Sequence, residues 1–519
     1  VRILLQGPET QAGYLLAVRT SQVDQFGFER FRHRFHYSDL NLLRALPRAS
    51  LLNSGVRHPH VQSAIHDYVE QNKSRFLEEL LAFLRIPSIS TLPERKEDVM
   101  RAATFARDSL RQAGLENVEL IPTAKHPLVY GEWMKAPGKP TVLCYGHYDV
   151  QPPDPLDLWR SPPFEPTLEN GNIYARGASD DKGQMYMHVK AAETLRAVGN
   201  GQLPVNLKFL LEGEEEIGGE SIAKYVPEHK AKLKADVALV SDTELFADGV
   251  PTLCIGLRGL IYMEIEATGP ARDLHSGMYG GAAPNAVYGL VQLLATAKDA
   301  DGRILIPGIY DGVKPPEPAE LQSWERLPFS EKQFLEDEVG ASALTGEPDQ
   351  SVLARIWARP TLEVHGIAGG FTGAGSKTVI PAKALAKVSI RVVPEQDPQH
   401  LIDSVRNWME KNTPVGIRTE LRVLGAGPAN SVNPNHPAIR VAAKVFGEVL
   451  GRDTVFVRSG GSIPIVGEFA EHLGIPTVLM GFGLPDDGLH SPNEKFRVTN
   501  FYAGIETISR FLTEYGASV

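Results

Sequence analysis

Cysteine is nearly absent: Cys144 and Cys254 are the only two in 519 residues. Two are too few for a disulfide framework, and each lies in an apolar run that reads as a buried strand. Long hydrophobic runs are missing as well. No apolar stretch approaches the ~18–20 residues that a membrane-spanning helix requires. Nor is there a basic excess. Lys plus Arg number 53 against 63 Asp plus Glu, a formal charge of −10. That argues against nonspecific nucleic-acid binding and against attachment to anionic membranes. No internal repeat or low-complexity tract interrupts the chain. No phosphate-cradling glycine loop follows a strand, which argues against a nucleotide- or pyridoxal-phosphate-dependent enzyme.

What is present suits a folded mixed protein. Hydrophobic residues make up 42% and charged residues 22%, enough apolar surface to bury cores. The length exceeds what one core supports, so at least two domains are expected. Gly (48) and Pro (38) are abundant, which fits a loop-rich α and β protein better than a helical bundle. Residues 1–60 stand apart: they hold eight Arg, no Lys and four acids, and the first methionine is Met100. The apolar run after Arg2 is only Ile3-Leu4-Leu5, too short for a secretory signal. An Arg-rich, acid-poor start fits a transit peptide. The plainer reading is an ill-ordered extension or a start site set too far upstream, so chains beginning near Val61 are expected to keep full activity.

From Val61 onward, Ile65, Val69, Phe76, Leu80 and Leu84 recur at helical spacing until Pro87. A second helix is expected over Val99 to Ala113, then short strands at Val118–Ile121, Leu128–Gly131 and Thr141–Tyr145. Helix and strand then alternate, with helix Gln184–Val198, strand Asn206–Leu211, helix Ser221–Tyr225 and strand Asp236–Val240. This alternation predicts βα units around a largely parallel sheet. The style changes near Gly259: strands are expected at Leu260–Ala267, Ala384–Val392 and Arg418–Val423, and a helix at Pro284–Ala297. Asp301–Gly346, rich in Pro and acids, reads as surface loops and short helices. The βα style resumes with helix Pro437–Leu450, strands Thr454–Arg458 and Thr477–Gly481, and a helix near Asn500–Tyr515. The expected organisation is therefore an N-terminal extension (1–60), a catalytic domain in two parts (61–258 and 425–519), and an inserted α+β domain (259–424).

The chemistry lies at strand ends. Thr141–Tyr145 runs into Gly146-His147-Tyr148-Asp149. His147 would ligate a metal through one ring nitrogen while Asp149 accepts from the other. Arg176-Gly177-Ala178-Ser179-Asp180-Asp181-Lys182-Gly183 precedes a helix, where two acids would also serve as mere caps. Glu212, Glu214, Glu215 and Glu216 follow a buried strand and repel one another unless protonated or neutralised by a cation. A solvated acidic loop is the alternative. Asp242 sits just beyond the strand ending at Val240, and His490 lies at a loop-to-helix junction after Met480. Five strand-end loops, each carrying a His or a carboxylate, are together hard to explain without metal. His and carboxylate donors without Cys fit Zn2+, Mn2+ or Co2+. Two ions sharing a carboxylate would activate a water and polarise a carbonyl.

These segments, in this order, resemble the M20 family of metallopeptidases, in particular its carnosinase-like, cytosolic non-specific dipeptidase branch. The resemblance rests on Gly146-His147-Tyr148-Asp149-Val150-Gln151-Pro152, Gly177-Ala178-Ser179-Asp180-Asp181-Lys182-Gly183 and Glu212-Gly213-Glu214-Glu215-Glu216. It continues through Asp273-Leu274-His275-Ser276-Gly277, Thr378-Val379-Ile380-Pro381, Ser389-Ile390-Arg391, Gly460-Gly461-Ser462-Ile463-Pro464 and Leu489-His490-Ser491. It runs from about Val61 to the C-terminus.

The resemblance implies an α/β fold: a phosphorylase/hydrolase-like catalytic domain with a mixed, largely parallel sheet, interrupted by an α+β lid and dimerisation domain. It implies two divalent ions per subunit, with Zn2+ the first choice and Mn2+ or Co2+ the alternatives. Asp180 would bridge them, His147 and Asp242 completing one site and Glu216 and His490 the other. Glu215 would be the general base, placed there because the family's Glu-Glu pair precedes a residue and a Gly, here Ile217-Gly218. Asp149 would orient His147, and the peptide between Asp180 and Asp181 would be cis. His275 would reach the partner subunit's active site and stabilise the oxyanion. Arg391 would grip the substrate carboxylate, with Thr378 and Ser462 adding hydrogen bonds.

The implied enzyme is a cytoplasmic homodimer that cleaves dipeptides or short peptides with a free C-terminal carboxylate, with no nucleic-acid or membrane partner. An N-acyl- or N-carbamoyl-amino-acid amidohydrolase of the same family is the second reading. A catalytically dead metal-binding assembly protein is a third, opposed by the presence of every ligand type and the base. One departure bears on substrate: some dipeptidase relatives carry a His in the stretch that here reads Gly425-Ala426-Gly427-Pro428.

Overall fold

The computed structural model describes residues 58–518. The expected N-terminal extension, residues 1–60, lies outside the described residues except for its last three, which begin the helix His58–Leu84. The apolar positions of that helix do what their spacing requires. Ile65, Val69, Phe76, Leu80, Phe83 and Leu84 are all buried in the main core. Charged residues beside them are paired rather than stranded. Lys190, buried on the helix Lys182–Val198, forms ion pairs with Glu79 and, at 2.7 Å, with Glu193, and Arg75 joins Glu79 at 2.8 Å.

The main sheet has nine strands. Its order is Glu116–Ile121, Leu128–Trp133, Asn206–Glu212, Thr141–His147, Val237–Val240, Thr477–Leu479, Thr252–Leu257 and Asn430–Ser431, with Val455–Ser459 also paired to Thr252–Leu257. The sheet is mixed. Parallel pairing joins the central run from Asn206–Glu212 to Thr477–Leu479, while the strands toward Glu116–Ile121 pair antiparallel. Helices His58–Leu84, Lys182–Val198, Pro437–Leu450 and Val498–Ser518 bury one face. A second apolar cluster, including Ile222, Trp324, Trp357 and Phe469, covers the other. Two covered faces explain why Asn206–Glu212 is buried at every position instead of alternating.

Register then concentrates the chemistry. His147 lies opposite Glu212, Tyr145 opposite Val240, and Val240 opposite Leu479. The loops after these four strands therefore leave from one edge, the carboxyl end of the parallel strands, where open α/β sheets bind ligands.

A separate antiparallel sheet has the order Thr361–Gly369, Lys383–Val392, Gly259–Thr268, Arg418–Gly427. Gly259–Thr268 alternates strictly between buried and half-buried residues, as expected with one face covered. Helices Ala286–Ala295 and Pro398–Asn412 supply that cover through Leu290, Leu293, Leu401 and Val405. The strand Thr361–Gly369 has no counterpart among the sequence-based expectations. It is an edge strand, mostly exposed and bulged between Val364 and Gly366, so it carries no buried periodicity to read.

The expectation for Asp301–Gly346 needs correction. Short helices such as Pro318–Trp324 do occur there, but Ile304, Ile306, Ile309 and Trp324 are buried. These few apolar anchors pin the segment to two cores, and the surrounding prolines and acids hide them in sequence. Among the described residues, no helix is long and apolar enough to cross a membrane. Both cysteines are free and buried.

Candidate metal centre

The loop that delivers Asp180 is built around a buried carboxylate that belongs to another part of the chain. Glu494 accepts from Arg176 Nη1 at 2.8 Å and from the Gly177 N–H at 2.9 Å. Its other oxygen accepts from the N–H groups of Ser179 and Asp180 at 2.9 and 3.1 Å. Asp487 accepts from the Ser179 hydroxyl at 3.0 Å, and Gln184 donates to the Ser179 carbonyl at 3.0 Å. The peptide between Asp180 and Asp181 is cis. Asp181 occupies the N-cap position of the helix Lys182–Val198 but makes no side-chain capping bond. It accepts instead from the His147 N–H at 3.0 Å. A purely capping role for the two acids is thereby excluded.

The Arg176–Glu494 pair is almost wholly out of water, with side chains 1% and 0% exposed. Breaking such a pair typically costs about 3–5 kcal/mol. Glu494→Gln, which also turns one acceptor oxygen into a donor facing N–H groups, is expected to lower stability by that order. It should weaken metal retention as well, because the loop that carries Asp180 loses its anchor. Denaturant unfolding and metal analysis check both.

Two donor triads meet at Asp180. Its Oδ1 lies 3.0 Å from His147 Nε2 and its Oδ2 lies 3.0 Å from His490 Nε2. Asp242 completes the first triad and Glu216 the second, each with its donor atoms within 4.8 Å of one another. His490 Nε2 and Glu216 Oε2 are 3.4 Å apart. Ligands about 2.0–2.2 Å from a tetrahedral ion sit roughly 3.3–3.6 Å from each other. The His490–Glu216 spacing falls in that range, and the two histidine contacts to Asp180 are slightly shorter, so each triad needs only a small outward shift to take one ion. Both histidines are aimed by backbone. The Nδ1 of His147 lies 3.1 Å from the Asp149 carbonyl and 3.5 Å from its carboxylate, leaving Nε2 turned to Asp180. His490 takes a left-handed backbone (φ 60°), and the next residue, Ser491, donates its N–H to the Gly488 carbonyl at 2.9 Å.

The acidic run divides by role. Glu214 is a structural knot, accepting from the His126 N–H at 2.9 Å and from the Ser221 hydroxyl at 2.7 Å. Glu212 is buried against the Tyr145 hydroxyl at 2.7 Å. Burial pushes Glu212 up to about 8, with the Tyr145 hydrogen bond opposing. Glu215 and Glu216 form a turn of 3-10 helix, Glu215–Ile217, at the edge of the triads. Gln151 donates to Glu216 Oε2 at 2.7 Å, and Asp149 Oδ2 accepts the Glu216 N–H at 3.2 Å.

Burial raises Glu215 to about 8, with His147 pulling against it and Asp242, Glu216 and Asp180 adding to it. Burial and the charge of Asp180 carry Glu216 to about 7 and Asp242 to about 6, the histidines opposing. For Asp180, burial works against ionisation, but hydrogen bonds from His147 and His490 hold it well below the usual carboxylate range. The hydrogen bond to Asp180 lifts His490 to about 9 against its burial. A cluster this acidic must hold protons or cations, and its donors are spaced for divalent ions.

The structure thus brings His147, Asp180, Asp242, Glu216 and His490 together, with Asp149 and Glu215 beside them. Arg391 and Ser462 form a second group: the half-buried Arg391 donates through Nη1 to Ser462 Oγ at 3.0 Å. His275 and Thr378 lie elsewhere, in or beside the small ladder of Leu274–His275 and Val379–Ile380. Both are exposed, and among the described residues His275 Nδ1 accepts only the Gly277 N–H, at 3.0 Å. The supporting residues Glu494, Asp487, Gln184 and Gln151 were not singled out from sequence. All four fall inside or close to the motif segments, but an acid or amide that shapes a loop looks like any other in a sequence.

Comparisons with known proteins bear on this arrangement. The model of "Peptidase family M20/M25/M40" matches residues 143–514. A Cys-Gly metallodipeptidase DUG1 of Candida albicans is 34% identical over 87% of this chain and 97% of its own. A Beta-Ala-His dipeptidase of Rattus norvegicus is 31% identical over 88% of this chain and 96% of its own. Among solved structures, an M20 family metallo-carboxypeptidase from Sulfolobus solfataricus superimposes with a TM-score of 0.77 at 32% identity, covering 85% of this chain and 99% of that one.

Proposed function

We propose that this chain, which belongs to peptidase family M20/M25/M40, hydrolyses dipeptides or short peptides that end in a free carboxylate. The observation that carries the reading is Asp180, each of whose oxygens faces the histidine of a different triad. His147, Asp180 and Asp242 would hold one divalent ion, and Asp180, Glu216 and His490 a second. With only nitrogen and oxygen donors, Zn2+ is the first choice and Mn2+ or Co2+ the alternatives. When bound, the pair of ions supplies Lewis acidity to the attacking water and to the scissile carbonyl.

The chain's own groups do the rest. Glu215, beside the triads but outside both, takes the proton of the attacking water and passes it to the leaving amine. Asp149 keeps His147 Nδ1 engaged through its carbonyl and carboxylate, so that Nε2 serves as ligand. Arg391 offers its guanidinium fork to the substrate carboxylate, with Ser462 at its side. Residues 61–258 and 425–519 would form the catalytic domain and 259–424 the lid, with residues 425–427 completing the lid's last strand.

His275 and Thr378 point to a homodimer. Exposed on the lid and members of neither triad, they would serve the partner subunit's site, His275 at the oxyanion. Apolar residues exposed on the same domain support a partner there: Met278 (75% exposed), Tyr288 (64%), Val364, Ile367 and Phe371. The last three lie on or near the unpaired edge of Thr361–Gly369. Light scattering is expected to give twice the chain mass, and a fully active monomer would contradict this. The setting proposed is the cytoplasm, where the two free thiols stay reduced.

The amidohydrolase reading uses the same centre, so substrate decides between them. A panel of Cys-Gly, Beta-Ala-His and other unblocked dipeptides is set against N-acetyl, N-succinyl and N-carbamoyl amino acids. Unblocked dipeptides are expected to win by roughly two orders of magnitude or more in kcat/KM. The reverse ranking would make this a deacylase.

A further inference from the structure

We propose that Arg258 is a positioning residue for recognition of the substrate carboxylate: it clamps the loop Gly460–Ser462 and, through Ser462, fixes the guanidinium of Arg391. This rests on the dipeptidase reading above. Arg258 is the single residue between Thr252–Leu257 of the main sheet and Gly259–Thr268 of the second sheet. At that junction it spends most of its polar groups on one loop. Its N–H donates to the Ser459 carbonyl at 3.3 Å, and its Nε donates to the Gly460 carbonyl at 3.1 Å. Its own carbonyl accepts the Ser462 hydroxyl. Nη1 reaches the Arg359 carbonyl at 3.4 Å.

Two details give these contacts a direction. The single proton of Ser462 is committed to Arg258, so its oxygen faces Arg391 as an acceptor, at 3.0 Å from Nη1. Ser462 in this arrangement holds Arg391 rather than donating to a substrate. Gly460 is also required by the clamp: a Cβ there would lie 2.6 Å from Arg258 Nη2 and 2.9 Å from the Ile356 carbonyl.

The charges explain why a clamp is needed. Among the described residues, neither Arg258 nor Arg391 forms an ion pair with a carboxylate, whereas Arg359 and Arg458 nearby each do. Burial and the neighbouring charge of Arg391 bring the Arg258 guanidinium down to about 10. Two half-buried cations that repel each other stay in place only if hydrogen bonds fix them. Together they leave a positive charge that a substrate carboxylate would neutralise.

The test compares Arg258→Met, Arg258→Lys and Ser462→Ala, each assayed with one unblocked dipeptide and with its C-terminal amide. Arg258→Met is expected to raise KM for the dipeptide about ten-fold or more, with kcat nearly unchanged and the already poor kcat/KM of the amide unmoved. Arg258→Lys should recover part of the loss, because an ammonium keeps the charge but donates to fewer carbonyls. Ser462→Ala cuts the relay while sparing Arg258, so it should raise KM in the same sense even if Arg258→Met does not fold. An unchanged KM in Ser462→Ala, or equal losses on dipeptide and amide, overturns the inference alone. A wild-type enzyme that hydrolyses no unblocked dipeptide overturns both it and the dipeptidase reading.

Discussion

Glu215→Gln is expected to keep its metal ions and lose turnover, with kcat falling by roughly 10²–10⁴-fold, the usual contribution of a positioned general base. The amide fills the same space and preserves the turn Glu215–Ile217, but it cannot accept a proton. Glu215 supplies no atom to either donor triad, so the ions have no reason to leave. A base for this step needs a pKa near working pH, well above the ~4.3 of a free Glu. Burial and the neighbouring carboxylates lift Glu215 to about 8, and bound cations would draw it back toward neutrality. Only the ionised form accepts a proton, so wild-type activity should fall as pH drops through that value. Steady-state kinetics and metal analysis on the same preparation decide the matter. Full activity with lost metal would recast Glu215 as a ligand and leave the base unassigned.

Asp180→Asn is the second large effect, and it differs in kind. The amide keeps the shape of the carboxylate but gives up the charge and one of the two oxygens that face His147 and His490. Both triads share this residue, so its loss should empty both, whereas His147→Ala or His490→Ala should damage one. Activity is therefore expected to fall below detection in Asp180→Asn. Combining it with either histidine variant should add nothing, the non-additivity of groups that act as a unit. Residual activity in Asp180→Asn that a histidine substitution lowers further would show that the two triads work independently.

How much of this was legible in sequence varies with what each residue does. His147, Asp242 and His490 follow apolar runs that are buried on both faces of a sheet, and an abrupt end to such a run marks a strand end. The helix through Phe76 and Leu80 was equally plain, because one covered side leaves a period. Which member of the acidic run faces the site was not legible from composition. Glu214 is tied to His126 and Ser221 and Glu212 to Tyr145, which leaves Glu215 and Glu216, in the turn Glu215–Ile217, beside the triads. Glu494 and Arg258 act over long sequence separations, holding loops near Ser179 and Gly460, and no local pattern announces such contacts. The edge strand Thr361–Gly369 carries no signal in the sequence because exposure removes the alternation by which strands are recognised.

Asp180 belongs to both donor triads and would join two divalent-ion sites in one chain. The most direct measurement is the metal-to-protein ratio, by elemental analysis, of protein stripped with a chelator, reloaded with Zn2+ and desalted. Two ions per chain are expected in the wild type and none in Asp180→Ala. A wild type that takes up one ion, or an Asp180→Ala variant that still holds two, would contradict it.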